Sequence, residues 1–179
     1  MSKRIIQYLI IIIVAGILAL LQFSLVGALP WPFNNFDLSV VSIIFAFLLV
    51  DNKRIWVLAG SIGWFLDIWS FHPFGISILS LVLSTFIVYL ILENVFTNRS
   101  LYSFLLLAAI GIISEAFLSN IFYLIFDWSD TVGKFFLIRG SFWESLGWSL
   151  LLGLITVGLF FNLLALASRR FQPFFLKKR

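Results

Sequence analysis

The sequence predicts an all-α integral membrane protein with six transmembrane helices in one membrane domain, residues 1–179, and three observations carry that expectation. Of 179 residues, 62% are hydrophobic and 11% charged, with a mean hydropathy of +1.12. Soluble domains average about 45–50% apolar and about 25% charged residues. The apolar residues are gathered into runs close to the ~20 residues a helix needs to cross a hydrocarbon layer about 30 Å thick. Runs such as 86–92 and 105–110 lack the apolar/polar alternation of barrel strands, so helices are expected.

The first helix is expected at 5–29, where only Gln7, Gln22 and Ser24 interrupt the apolar run before Pro30-Trp31-Pro32 ends it. The preceding Met1-Ser2-Lys3-Arg4 has the charge of a signal peptide. The run exceeds the about 7–15 apolar residues of such peptides, which favours an uncleaved helix. The second helix, 33–50, has an apolar core only over 38–50 and reaches spanning length by starting near Trp31 to Phe36. The third, 55–71, contains Asp67, and a His72-Pro73 turn separates it from the fourth, 74–92. The fifth, 101–126, carries Glu115, and the sixth, 142–167, has Glu144 near its start and leads into a basic tail, 168–179.

With six spans, Lys3, Arg4, Lys53, Arg54, Arg99, Arg169, Arg170, Lys177, Lys178 and Arg179 share one side, leaving Lys134 and Arg139 opposite. Basic residues concentrate on the cytoplasmic side, so both termini are expected there. This placement also accounts for the pI of 9.7 without a nucleic-acid partner. The tail, with Phe171, Phe174 and Phe175, reads as an anchor to anionic membrane lipids. Trp31, Trp69, Trp128 and Trp143 fall at outer helix ends, as an interfacial aromatic belt requires. The outer loop 127–141 sets Phe135, Phe136, Leu137 and Ile138 between Lys134 and Arg139, a pattern suiting a membrane-surface loop or a docking surface for an extracytoplasmic partner.

Ionisable side chains within spans cost about 2.5–3.5 kcal/mol on insertion scales and need a partner or a function. Ala59, Gly63 and Asp67 recur every fourth residue, with Gly60 and Ser70 beside them, giving a small or polar face suited to close helix contact. Asp67 lies only four residues before the His72-Pro73 turn, or ~6 Å along the axis. A carboxylate there faces the unpaired N–H groups around Gly75 to Ser77 that open the fourth helix. Gly111, Glu115 and Ser119 align similarly, while Ser77, Ser80 and Ser84 offer hydroxyls to one of the two acids. Asp67 and Glu115 as interior acids that fix packing are favoured over a proton relay or an ion or substrate site, because a carrier usually shows more intramembrane polar groups.

Catalysis has little support. Cys is absent, and the single His72 lacks an acid or nucleophile placed to work with it. No zinc motif, paired-aspartate protease motif, Gly-rich phosphate loop or nucleophile elbow is present. No catalytic residue, cofactor or metal is expected, and contacts are left as the means of function.

Phe36-Asp37-Leu38, the basic turn Asn52-Lys53-Arg54, Gly60-x-x-Gly63-x-x-x-Asp67 and Phe71-His72-Pro73-Phe74-Gly75 together resemble the bacterial rod shape-determining MreD family. The motifs lie within 36–92, and beyond Asn94 the chain offers hydropathy alone. The resemblance singles out Asp37, Gly60, Gly63, Asp67, Pro73 and Gly75, beside Glu115 from the span analysis, as structural or interaction residues. It implies a non-catalytic subunit of the cell-wall elongation machinery in the bacterial inner membrane, acting with MreC, the actin-like MreB, RodA and a class B penicillin-binding protein. It also implies a fold like that of the substrate-binding subunits of energy-coupling-factor vitamin transporters, which supplies an alternative function. Ala15-Gly16-Ile17-Leu18-Ala19 resembles the Ala-x-x-x-Ala contact those subunits make with their energising partner. A transporter subunit also requires a polar pocket near the outer face, where the loops here are mainly aromatic.

Overall fold

The computed structural model describes residues 2–50, 52–70, 73–94, 101–126 and 140–169. Among them no strand occurs. The helices are α1 (Ser2–Leu20), continued by a π-helical turn (Leu21–Val26), then a short 3-10 turn (Phe33–Asn35), α2 (Leu38–Leu49), α3 (Asn52–Trp69), α4 (Ile76–Asn94), α5 (Leu101–Phe126) and α6 (Gly140–Arg169). Four helical segments are long and apolar enough to cross a membrane: Ile5–Val26, Ile76–Asn94, Leu101–Phe126 and Gly140–Leu163. The expected Trp128 belt position, the His72 turn residue and the loop residues 127–139 lie outside the described residues.

The second helix corrects the expected 33–50 span. It has 12 residues, or about 18 Å of length, short of the ~30 Å hydrocarbon layer. It does not extend back toward Trp31 because Asp37 caps it, the Asp37 Oδ1 accepting from Val40 N at 3.1 Å. Gln22 from the end of the π-turn completes the joint, donating through Nε2 to Phe36 O at 3.1 Å and accepting from Leu38 N at 2.8 Å. A side chain that merely interrupts an apolar run in sequence thus ties the first helix to the second.

The path α1, α3, α4, α5, α6 forms a series of packed neighbours, and α2 sits among them, touching each of the others. Val40, Val41, Ile43, Ile44, Ala46 and Phe47 of α2 are all buried. A helix apolar on every side belongs inside a bundle, and here the shortest one is the central strut. The outer helices present their apolar faces outward, with Ile13 62% exposed on α1 and Leu159 61% on α6. Such faces suit a hydrocarbon solvent rather than water.

Ala15 and Ala19 are fully buried, on a helix whose main neighbour is α3. A Cβ on Gly16 would lie 3.3 Å from the Phe65 ring. This small-residue stripe is consumed by an internal contact, which corrects its reading as a docking motif for an energising partner. At the far end of the same pair of helices, Arg54 Nη2 donates to Gln7 Oε1 at 2.9 Å.

Candidate functional site

Apart from Gly60, the residues singled out from sequence fall in two separate joints, one between α3 and α4 and one between the start of α2 and α5. The first joins α3 to α4. Asp67 is buried, and its carboxylate accepts three backbone N–H groups: Gly75 N at 3.0 Å and Ile78 N at 3.2 Å on Oδ2, and Ser77 N at 2.9 Å on Oδ1. These donors open α4 and have no intrahelical acceptor, and the positive end of the helix dipole lies there too. Gly75 turns the chain at φ +106°, a backbone region that disfavours a Cβ.

The glycines of α3 separate into two kinds. A Cβ on Gly63 would meet the α4 backbone, at 2.7 Å from Ile78 Cα and 2.9 Å from Ser77 O, whereas one on Gly60 would meet nothing within 4 Å. Gly60 therefore makes no close helix approach in this molecule, and its place beside the contact face in sequence has no packing counterpart. Gly60→Ala is expected to leave the unfolding temperature of the solubilised protein unchanged or slightly raised, because Ala favours helix. Gly75→Ala is expected to lower it through about 1–3 kcal/mol of backbone strain. Thermal unfolding of the two variants side by side checks both expectations.

The second joint pairs Asp37 with Glu115. Their carboxyl groups are neighbours on the wall of one chamber, with Ser80 of α4 near Glu115. Two ionised carboxylates are acceptors only, so neither satisfies the other without an outside donor. The pair sets the start of α2 beside the middle of α5. The serine stripe on α4 serves one acid directly: the backbone N–H of Ser77 donates to Asp67, while Ser80 Oγ turns back to Ser77 O at 3.2 Å and Ser84 Oγ to Leu81 O at 3.0 Å. Asp67 and Glu115, weighed together from sequence, are in different joints. Gly111, one turn before Glu115, packs close to Val40 and Val88, whose side chains a Cβ there would approach to 3.0 and 3.3 Å.

Beside this pair is a chamber of about 320 Å³, whose walls include Gln22, Asn35, Asp37, Ser39, Glu115 and Ser149. A smaller hollow of about 180 Å³ shares Asn35, Glu115 and Ser149 and continues toward Asn120 and Ser145. Asp37 and Glu115 are half-buried, and both line the larger hollow. Among the described residues, Asp37 and Glu115 are the ionisable ones lining these hollows. Ser39, one turn-position past the Asp37 cap, is 2% exposed, and its Oγ has no hydrogen-bond partner among the described residues. The sequence reading missed this chamber because its polar walls come from five helices and the 3-10 turn, each contributing one or two residues. Gln22 carried the one usable signal, a costly amide at a helix end with a membrane-depth match to Asp37.

Among the described residues no group of three or more His, Cys, Asp or Glu side chains comes together as metal ligands would. Pro73 is half-buried ahead of the Gly75 turn, and Glu144 is exposed. Comparison of the chain with protein-family models, curated proteins and solved structures finds no match. The fold and the site define an all-helical bundle with four helices long and apolar enough to cross a membrane, the architecture of a multi-pass membrane protein, with a polar chamber at one end.

Proposed function

We propose that this protein is a non-catalytic scaffold of the bacterial cell-wall elongation complex, similar to MreD, which holds an MreC-like protein and, in the larger assembly, RodA, a class B penicillin-binding protein and MreB. The observation that carries the reading is the use made of the MreD-like segment. Asp37 caps α2, while Gly63, Asp67 and Gly75 join α3 to α4, so these motif residues build one rigid end of the bundle. Function through a shaped surface asks for such a frame and for no reacting group. In a rod-shaped host, depletion is expected to give rounded cells. Cells that keep their shape but lose uptake of one vitamin would transfer the assignment to a transporter subunit.

That second reading has one observation in its favour, the polar chamber, which supplies the pocket that the aromatic loops had argued against. Its other support is lost, since the Ala15 to Ala19 stripe faces inward. The scaffold reading keeps the larger set of residues.

In the proposed topology the chain crosses the bacterial inner membrane six times, the short α2 completing its crossing inside the bundle through the Phe33–Asn35 turn and not as a full-length helix, and both termini are cytoplasmic. The chain contains no Cys, so single cysteines report cleanly. Asn34 and Asn94 are both exposed, at opposite ends of the bundle. In intact cells a membrane-impermeant maleimide is expected to label Asn34→Cys and to reach Asn94→Cys only after permeabilisation. The reverse pattern would invert the topology.

A further inference from the structure

We propose that the chamber lined by Asp37, Ser39 and Glu115 is a binding site for a small organic cation, a primary ammonium or a guanidinium with a short polar body. Three observations combine in it. The volume, about 320 Å³, lies at the small end of ligand cavities, which run about 300–1,000 Å³. Among the described residues, the ionisable groups lining it and the adjoining hollow are carboxylic acids, with no Lys, Arg or His to receive an anion. Ser39 holds a buried hydroxyl with no partner among the described residues, and native structures rarely leave such a group unpaired without a ligand, water or ion to meet it.

The pairing of the acids defines what the ligand must bring. Asp37 and Glu115 line the same chamber, and two carboxylates bring acceptors without donors. An ammonium brings three donors and a guanidinium five, enough to serve both acids and Ser39 Oγ together, in the charge-assisted bonds that are about twice as strong as neutral ones. Asn35, Ser77 and Ser149 along the wall then meet the polar body of the ligand. A neutral alcohol or amide cannot replace the charge, and an anion meets two acids. A bare alkali ion supplies charge without directed donors.

The test uses the purified full-length chain in mild detergent, with ethanolamine and methylguanidine as probes and with n-propanol, acetamide, propionate and sodium ion as controls. Titration calorimetry and thermal unfolding are read together. At least one of the two cations is expected to bind saturably at one site per chain and raise the unfolding temperature, with no saturable response to the controls. The double substitution Asp37→Asn, Glu115→Gln is expected to weaken binding at least tenfold. Ser39→Ala removes only the orphan hydroxyl, and it is expected to weaken binding severalfold with helicity unchanged, which keeps the test decisive if the double variant fails to fold. The proposal is overturned if neither cation binds, if a neutral, anionic or sodium control binds equally well, or if Ser39→Ala binds as tightly as the parent chain. Binding is measured on the isolated protein, so its failure is separate from failure of the scaffold reading, which is decided in cells.

Discussion

Asp67→Leu is expected to lower the stability of the solubilised protein by roughly 3–6 kcal/mol, the largest effect of any single side-chain truncation in the bundle. The carboxylate accepts Gly75 N, Ser77 N and Ile78 N. Leu matches its bulk but leaves all three donors without an acceptor in a buried place. Each orphaned group costs about 1–3 kcal/mol, less whatever water can reach. Asp67→Asn is more informative. Its single carbonyl oxygen can take the place of Oδ2 and keep Gly75 and Ile78, but its amide then points donors at the N–H of Ser77. A loss of about 1–3 kcal/mol is expected, between the parent and the Leu variant. Thermal unfolding in one detergent ranks the three proteins. An Asn variant as stable as the parent would mean that the second carboxylate oxygen contributes nothing, and an Asn variant that folds and assembles fully yet has no function would give Asp67 a chemical role.

Gly63→Ala is expected to destabilise by about 2–4 kcal/mol, although Ala is the better helix former. The added Cβ would lie 2.7 Å from Ile78 Cα and 3.0 Å from Ile78 N, both backbone atoms of α4. No rotamer change relieves a contact with backbone, so α3 and α4 must move apart. Gly63 is one turn before Asp67 on the same face, so separation also stretches hydrogen bonds of 2.9 to 3.2 Å. The two substitutions are therefore coupled. Gly63→Ala and Asp67→Leu combined are expected to cost clearly less than the sum of the two alone, as groups sharing one contact do. Additive effects in a double-mutant cycle would show that the glycine contact and the carboxylate cap are independent.

What could be read from sequence divides along the range of the interactions. Asp67 was legible because its donors lie eight to eleven positions away, across one tight turn, where helix geometry fixes the reach. The fifth helix was legible because Arg99 and Asp127 bracket a long, mainly apolar run. The start of α2 was not, since hydropathy scores length and is blind to an Asp cap that ends the helix at Leu38. Glycine spacing could not separate Gly60 from Gly63, because a small residue permits a close approach without saying which neighbour comes. The same ambiguity misassigned Ala15 and Ala19, whose neighbour is inside the chain. The Asp37 and Glu115 pair needed the packing of α2 against α5, a tertiary fact with no local trace.

The two joints have different chemistry and different consequences. The Asp67 joint has every acceptor matched to a donor, so it acts as a fixed hinge pin between α3 and α4. The Asp37 joint sets two carboxyl groups on one wall, borders an open chamber and leaves Ser39 Oγ without a partner among the described residues. Rigidity at the first and spare hydrogen-bonding capacity at the second allow one end of the bundle to hold its shape while offering a recess, with the surrounding apolar faces left for lipid or for a partner helix.

The scaffold role is tested most directly by isolating the full-length tagged chain from its native membranes in mild detergent and identifying what comes with it. Co-purification of an MreC-like single-span protein, with RodA and a class B penicillin-binding protein in the same fraction, is the expected result. Recovery of paired ATPase subunits and an energising membrane subunit, with no MreC-like protein, would contradict it.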